Sequence, residues 1–314
     1  MVNQVTVIIV NYNSGEMLTR CVANILASTE QANILISDNA SSDNSLELLQ
    51  ENYKNHPAIH LHRNAANLGF ATANNAVYPL ITTPFVFYLN PDCFIEKDTI
   101  EHFLTLMRNY PNAGMAGCLV TNVDGSEQTG CRGLTPTPKR IINQLFKLSK
   151  LFPQNPKFAG YLLSHQPLPK TPITVELISG SCMFARKEAL DEVGLLDENY
   201  FLYCEDYDWF YRFTQSQWKL LFTPDTKVTH IKSFSAKQIP FKVLLYKARG
   251  MWRYHDKFFK TNSNQLSTFL IRTGIILRLF ALGSILFLKK TLKAILSIKP
   301  RNKIYKFGLN RVDK

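Results

Sequence analysis

No C-x-x-C pair occurs among the six cysteines, Cys21, Cys93, Cys118, Cys131, Cys182 and Cys204. That spacing argues against a structural zinc site or a thioredoxin-like redox pair. Several of the six sit inside apolar runs, where a buried free thiol is the ordinary outcome. The turn after the first apolar run, Asn11-Tyr12-Asn13-Ser14-Gly15, lacks G-x-G-x-x-G, which speaks against a dinucleotide-binding dehydrogenase. Met1 to Val5 carries no basic stretch of the secretory-signal kind, so a reducing cytosolic setting is expected. There is no internal repeat and no low-complexity tract. An apolar fraction of 46% and a charged fraction of 19% exclude general disorder.

Acidic residues are the other scarcity: 24 Asp and Glu face 36 Lys and Arg, a net charge of +12 in 314 residues. The surplus is concentrated at one end. Phe241 to Lys314 holds 17 basic and 2 acidic residues, whereas the first 240 residues hold 19 and 22. The chain therefore reads as a slightly acidic body, residues 1–239, followed by a strongly basic tail, residues 240–314. Such a tail calls for an anionic partner.

Within the body, short β-branched or aromatic runs alternate with helical stretches. Val5–Val10, Ile34–Ser37, Ile59–His62, Phe85–Leu89 and Met115–Val120 read as strands. Helices are expected from about Glu16, up to Leu49, after Gly69, over Thr99–Asn109 and over Lys187–Val193. This alternation predicts an α/β fold, Rossmann-like, with a mostly parallel sheet and helices on both faces. Seven of the 15 prolines fall between Pro136 and Pro172, so long irregular loops are expected there.

Polar clusters end the apolar strands: Asn11-Tyr12-Asn13, Asp38-Asn39, Asn67 and Asn90-Pro91-Asp92. In open α/β sheets ligands bind beyond these carboxyl ends, so one shared site is expected. Asn and Asp also cap helices and make turns, and each cluster taken singly has that alternative. Farther on, Glu205-Asp206-Tyr207-Asp208 crowds three carboxylates into four residues, which raises the proton affinity of at least one of them.

The order of motifs resembles family 2 glycosyltransferases of the GT-A fold, in the rhamnosyltransferase-like bacterial branch. Val10-Asn11-Tyr12-Asn13-Ser14, Asp38-Asn39-Ala40-Ser41, Asn67-Leu68-Gly69-Phe70 and Leu89-Asn90-Pro91-Asp92 match the family's donor half. Ser179–Phe184, Gly194–Glu198, Tyr203-Cys204-Glu205-Asp206 and Val228-Thr229-His230 match its acceptor half, and the resemblance covers roughly residues 4 to 235. It implies a nucleotide-diphosphate sugar donor, with Val10, Asn11 and Tyr12 beside the base, Asp38 or its neighbour Asn39 bonded to base or ribose, and Asn67 near ribose or phosphate. It also implies Asp206 as the base that deprotonates the acceptor hydroxyl, with Glu205 and Asp208 as supports. A divalent cation, Mg²⁺ or Mn²⁺, would be held by Asp92 with His230. The family's D-x-D triplet is Asn90-Pro91-Asp92 here, so only its last carboxylate remains. Gly180 would let a substrate approach the backbone.

Leu266 to Leu288 is strongly apolar but contains Arg272 and Arg278, and Lys289, Lys290, Lys293, Lys299, Arg301, Lys303 and Lys306 follow. One or two amphipathic helices lying on an anionic membrane surface are expected. A helix packed on the body and a single span are the alternatives. No nucleic-acid-binding motif accompanies the basic residues. The combined expectation is an inverting, metal-dependent hexosyltransferase, peripheral at the cytoplasmic face of the inner membrane. It would extend a lipid-linked or growing glycan in cell-surface polysaccharide synthesis. An inactive, membrane-bound scaffold with the same fold is the alternative.

Overall fold

A computed structural model of the chain describes residues 3–152, 155–231, 240–261 and 263–297. The chain runs β1 (Val5–Asn11), α1 (Glu16–Leu26), β2 (Ala32–Asp38), α2 (Ser45–Tyr53), β3 (Ile59–Arg63), α3 (Phe70–Val77), β4 (Phe85–Leu89), β5 (Cys93–Ile95), α4 (Thr99–Asn109) and β6 (Ala113–Thr121). It continues through β7 (Arg132–Gly133), α5 (Pro138–Leu145), α6 (Leu148–Leu151), β8 (Ile173–Val175), β9 (Leu177–Ile178), β10 (Cys182–Arg186), α7 (Lys187–Val193), α8 (Glu205–Thr214), β11 (Lys219–His230), α9 (Pro240–Phe258) and α10 (Gln265–Ser297).

Among the described residues nine strands form one sheet in the order β3-β2-β1-β4-β10-β6-β11-β5, with β8 also on β11. The first four are parallel; β1, β2 and β4 are largely apolar and buried, as inner parallel strands should be, while β3 at the edge alternates apolar and polar residues. Beyond them the sheet is mixed, because β10 runs antiparallel between β4 and β6. Helices cover it through apolar stripes at helical spacing. Leu18, Cys21, Val22 and Ile25 are the buried face of α1, and Ile100, Phe103, Leu104 and Met107 that of α4. All six cysteines are buried and free.

The proline-rich stretch departs from expectation. Pro138 opens α5 at a position where a missing N–H costs nothing, and the Thr137 hydroxyl caps it by accepting from the Arg140 amide at 3.4 Å. Here proline starts a helix instead of preventing one.

The basic tail also differs from a simple amphipathic appendage. Helix α9 is tied to the body through Asp197, which accepts from Arg253 at 2.8 Å and Lys257 at 2.7 Å. Ile141 of α5, Tyr254 of α9 and Ile271 and Ile275 of α10 form a second apolar core. Arg272, expected to oppose burial, pairs with Asp256 at 2.9 Å and lies over the Trp252 ring. The outward face of α10 is apolar as well: Phe269, Leu277, Phe280, Phe287 and Leu288 are all exposed. Among the described residues α10 is the one helix long and apolar enough to cross a membrane. The boundary at residues 239 and 240 adjoins the undescribed stretch 232–239, and Lys299, Arg301, Lys303 and Lys306 lie outside the described residues.

Candidate active site

The ends of β1 and β2 stand in register, with Asn11 opposite Asp38. Asn11 is buried, and its amide nitrogen faces Asp38 Oδ1 at 2.8 Å, Ser41 Oγ at 3.0 Å and Ser45 Oγ at 2.9 Å, while its oxygen accepts from Ser14 at 2.6 Å. Asp38 also accepts from the Ser41 hydroxyl at 2.6 Å and the Ser41 amide at 3.1 Å. These bonds stitch the two loops together and give both side chains a structural role in the site's floor. Val10 is half-buried beneath, and the exposed Tyr12 stands at the rim. Asn39 turns away from this floor: it donates to the Gly69 carbonyl at 3.0 Å and accepts from Asn64 at 3.0 Å.

Asn67 accepts from the Gly69 amide at 3.0 Å in a local turn and does not cap α3, whose N-cap is Gly69. Gly69 has φ +83°, and a Cβ there would lie 2.3 Å from the Phe201 carbonyl oxygen. That approach brings the acceptor-half loop against the donor half.

Asp92 follows the end of β4. The three-residue β5 pairs with the end of β11, opposing Cys93 to His230, and sets His230 Nε2 3.2 Å from Asp92 Oδ1. On its other side His230 Nδ1 meets Gln128 Oε1 at 3.1 Å, while Gln128 Nε2 donates to the His230 carbonyl at 2.7 Å. A ring anchored on one nitrogen aims the other at the carboxylate, as metal-binding histidines are held. Cys93, whose proximity to Asp92 in sequence was the only available signal, brings a third ligand atom: the three lie within 4.8 Å of one another. Burial pushes its thiol well up, and it donates to the Ser181 carbonyl at 3.5 Å. The hard carboxylate of Asp92 and the borderline imidazole of His230 therefore suit Mg²⁺ or Mn²⁺ better than the soft, protonated thiol does. Gln128 had no sequence signal.

Helix α8 is entered through Tyr203 and Cys204, both left-handed at φ +71° and +72°. Two consecutive non-glycine residues in that region mark a strained turn, and the residues it aims are the carboxyl groups. Asp206 abuts Gly180 so closely that a Cβ there would sit 2.5 Å from its Oδ2, and its Oδ1 accepts from the Tyr207 amide at 2.9 Å. Burial pushes the Asp206 carboxyl up to about 6, against backbone bonds that lower it. Glu205 is more buried, its Oε2 has no partner among the described residues, and burial followed by the Asp206 charge drives it well above the ordinary range. Both carboxyls are thus raised by burial, Glu205 further by the neighbouring Asp206 charge, a pairing that pushes two acids toward different roles. Asp208 is fully buried and paired with Arg212 at 2.8 Å and Lys257 at 2.6 Å, so it is structural. The Tyr203 phenol lies between the two halves, raised by burial and then by the charges of Glu205, Asp92 and Asp206.

The profile of glycosyl transferase family 2 matches residues 6–194. The chain belongs to this family. The glycosyltransferase is 28% identical over 252 residues to the N-acetylglucosaminyl-diphospho-decaprenol L-rhamnosyltransferase of Mycobacterium tuberculosis (strain CDC 1551 / Oshkosh), covering 76% of this chain and 80% of that one. It is 22% identical over 258 residues to rhamnosyltransferase WbbL of Escherichia coli K12, covering 80% and 92%. Its fold is GT-A: the mannosyltransferase PcManGT of Pyrobaculum calidifontis, solved with GDP-Man and Mn²⁺, superposes with a TM-score of 0.57 at 15% identity over 96% of this chain and 82% of that one.

Proposed function

We propose that the glycosyltransferase moves a sugar, rhamnose by analogy with its relatives, from a nucleotide-diphosphate donor to a lipid-linked or growing glycan. The acceptor hydroxyl gives its proton to Asp206, and its oxygen attacks the anomeric carbon. The new glycosidic bond forms as the bond to the diphosphate oxygen breaks, with the electron pair leaving on the nucleotide diphosphate. One in-line displacement inverts the anomeric centre. Asp92 and His230 would hold a divalent cation, Mg²⁺ or Mn²⁺, which when bound neutralises charge on the diphosphate. Tyr12, with the Val10 and Asn11 backbone, would meet the base; Asp38 would support it, and Asn67 would shape the turn beside ribose or phosphate. Residues 1–239 act as the catalytic domain. The tail holds it peripherally on the anionic cytoplasmic face of the membrane.

The observation that carries this reading is the Asp206 carboxyl wedged against Gly180 at the entry of α8, with the buried, unpartnered Glu205 Oε2 beside it among the described residues. Asp206→Asn should retain nucleotide-sugar binding, read by calorimetry, and lose transfer by at least ~100-fold. Transfer at the wild-type rate removes Asp206 from the mechanism. An inactive scaffold is favoured only by Asn90 in place of a first carboxylate, and metal-dependent hydrolysis of the donor by the wild type excludes it.

A further inference from the structure

Helix α9 lies beyond residues 6–194 that the family profile matches, yet one stripe of it runs along the whole approach to Asp206. Tyr246, Gly250, Arg253 and Lys257 follow one another at helical spacing, which puts them on one face. The Tyr246 ring lies 4.9 Å from that of Phe201, and the Lys247 ammonium 4.4 Å from the centre of the Tyr203 ring. Arg253 sits over the Tyr200 ring and bonds Asp197 at 2.8 Å, while Lys257 closes the far end on Asp208 at 2.6 Å. At Gly250 the helix meets the backbone of this segment directly. A Cβ there would lie 2.6 Å from the Tyr203 carbonyl oxygen and 3.0 Å from both Cβ and Sγ of Cys204.

A glycine in a helix interior weakens the helix, and it belongs where a neighbour must come closer than a side chain allows. The neighbour here is the turn of Tyr203 and Cys204, whose φ angles of +71° and +72° lie in the left-handed region. Residues other than glycine keep such angles only where their surroundings over-determine them, and α9 supplies those surroundings. Cys204 is the N-cap of α8, so the placing of this turn fixes where Glu205 and Asp206 begin the helix. We infer that α9 is the template for the Tyr203–Cys204 turn, and that Gly250 is a positioning residue that sets the Asp206 carboxyl against Gly180. This role rests on Asp206 being the base of the transfer proposed above. It extends the catalytic unit across the boundary at 239 and through α9, so the basic tail supplies part of the active site's frame as well as its membrane contact. A helix is a stiffer support than a loop, and a turn clamped against one holds its carboxyl within the small tolerance that proton transfer demands.

The test uses the full-length protein, with thermal melts and nucleotide-sugar binding to establish that each variant is folded. Gly250→Ala inserts a methyl group that must push the Tyr203 carbonyl and its turn away. Its kcat should fall about 100-fold with donor KM unchanged, the cost of displacing a base by roughly an ångström. Gly274→Ala on α10 is the control. Its Cβ would meet the end of the Leu145 side chain at 2.8 Å, which disturbs the packing of α10 on α5 without reaching the turn. There kcat should stay within about twofold of wild type. Tyr246→Ala removes a contact from the α9 stripe instead of inserting an atom, and its kcat should drop about tenfold. Wild-type kcat in a folded Gly250→Ala, or in Tyr246→Ala where Gly250→Ala does not fold, overturns the inference, as does a Gly274→Ala as slow as Gly250→Ala. Asp206→Asn separates the two proposals. Transfer at the wild-type rate by that variant defeats the mechanism, whereas an inactive Asp206→Asn beside an indifferent Gly250→Ala defeats the role of α9 alone.

Discussion

Gly180 and Asp206 are separated by 26 positions, yet the space one leaves is occupied by the carboxylate of the other. A methyl group at Gly180 would lie 2.5 Å from Asp206 Oδ2, so the carboxylate must move. Gly180→Ala should therefore lower kcat by about 100-fold with donor KM unchanged, the cost of misplacing a base by roughly an ångström. The same carboxyl sets the pH response. A carboxyl pushed up to about 6 must lose its proton to act as the proposed base, so the rate should rise with pH through about 6 and level above it. Stability responds in the opposite sense. The folded chain binds the Asp206 proton more tightly than the unfolded chain, whose carboxyl titrates near 3.8, so stability falls as pH climbs from about 4 to about 6. Asp206→Asn should then be more stable than wild type at pH 8 by about 1–2 kcal/mol and lose that advantage below pH 4, as thermal melts can show.

At the level of elements, α8 and α9 meet across buried charge. Asp208 is wholly inaccessible and bonded at 2.6 Å to Lys257 and 2.8 Å to Arg212. Removing one partner leaves a buried carboxylate short of charge compensation. Lys257→Met should cost about 2 kcal/mol, less than a fully buried pair because the lysine is partly exposed, and should lower Tm. A variant with unchanged Tm shows that Arg212 alone suffices for Asp208. The elements differ in how plainly the chain announces them. Helices α4 and α7 lie at their expected limits, Thr99–Asn109 and Lys187–Val193, because amphipathic spacing marks them locally. The three-residue β5 carries no such pattern. It exists because the far end of β11 offers it a partner, and through it His230 reaches Asp92. The antiparallel insertion of β10 is equally silent in sequence, since an apolar run does not state which neighbours it takes.

For the whole molecule, the split between an acidic-leaning body and a basic tail acquires a direction in space. One stripe of α10 is buried on the body through Ile271 and Ile275, and the opposite stripe carries Phe280 and Phe287, each 69% exposed. Exposed aromatic rings on a helix that also carries Lys289 and Lys290 suit insertion into an anionic interface. The protein should co-sediment with phosphatidylglycerol vesicles more than with phosphatidylcholine vesicles, and less of it should do so as salt rises. Phe280→Asp and Phe287→Asp should each reduce the bound fraction about tenfold, by the burial value of one aromatic side chain. Indifference to both substitutions would remove α10 as the membrane contact.

The sequence by itself determined the alternation of strands and helices, the polar strand ends, the crowded carboxylates at 205–208 and the charge of the tail. Each is a local property, written in periodicity or residue type. Tertiary structure alone decided that Asn39 faces Gly69, that Gln128 orients His230, that Gly180 yields its space to Asp206, and that α10 is shared between body and exterior. Those outcomes depend on contacts between residues far apart in the chain, and the burial that raises the Asp206 carboxyl exists only once such contacts exclude water.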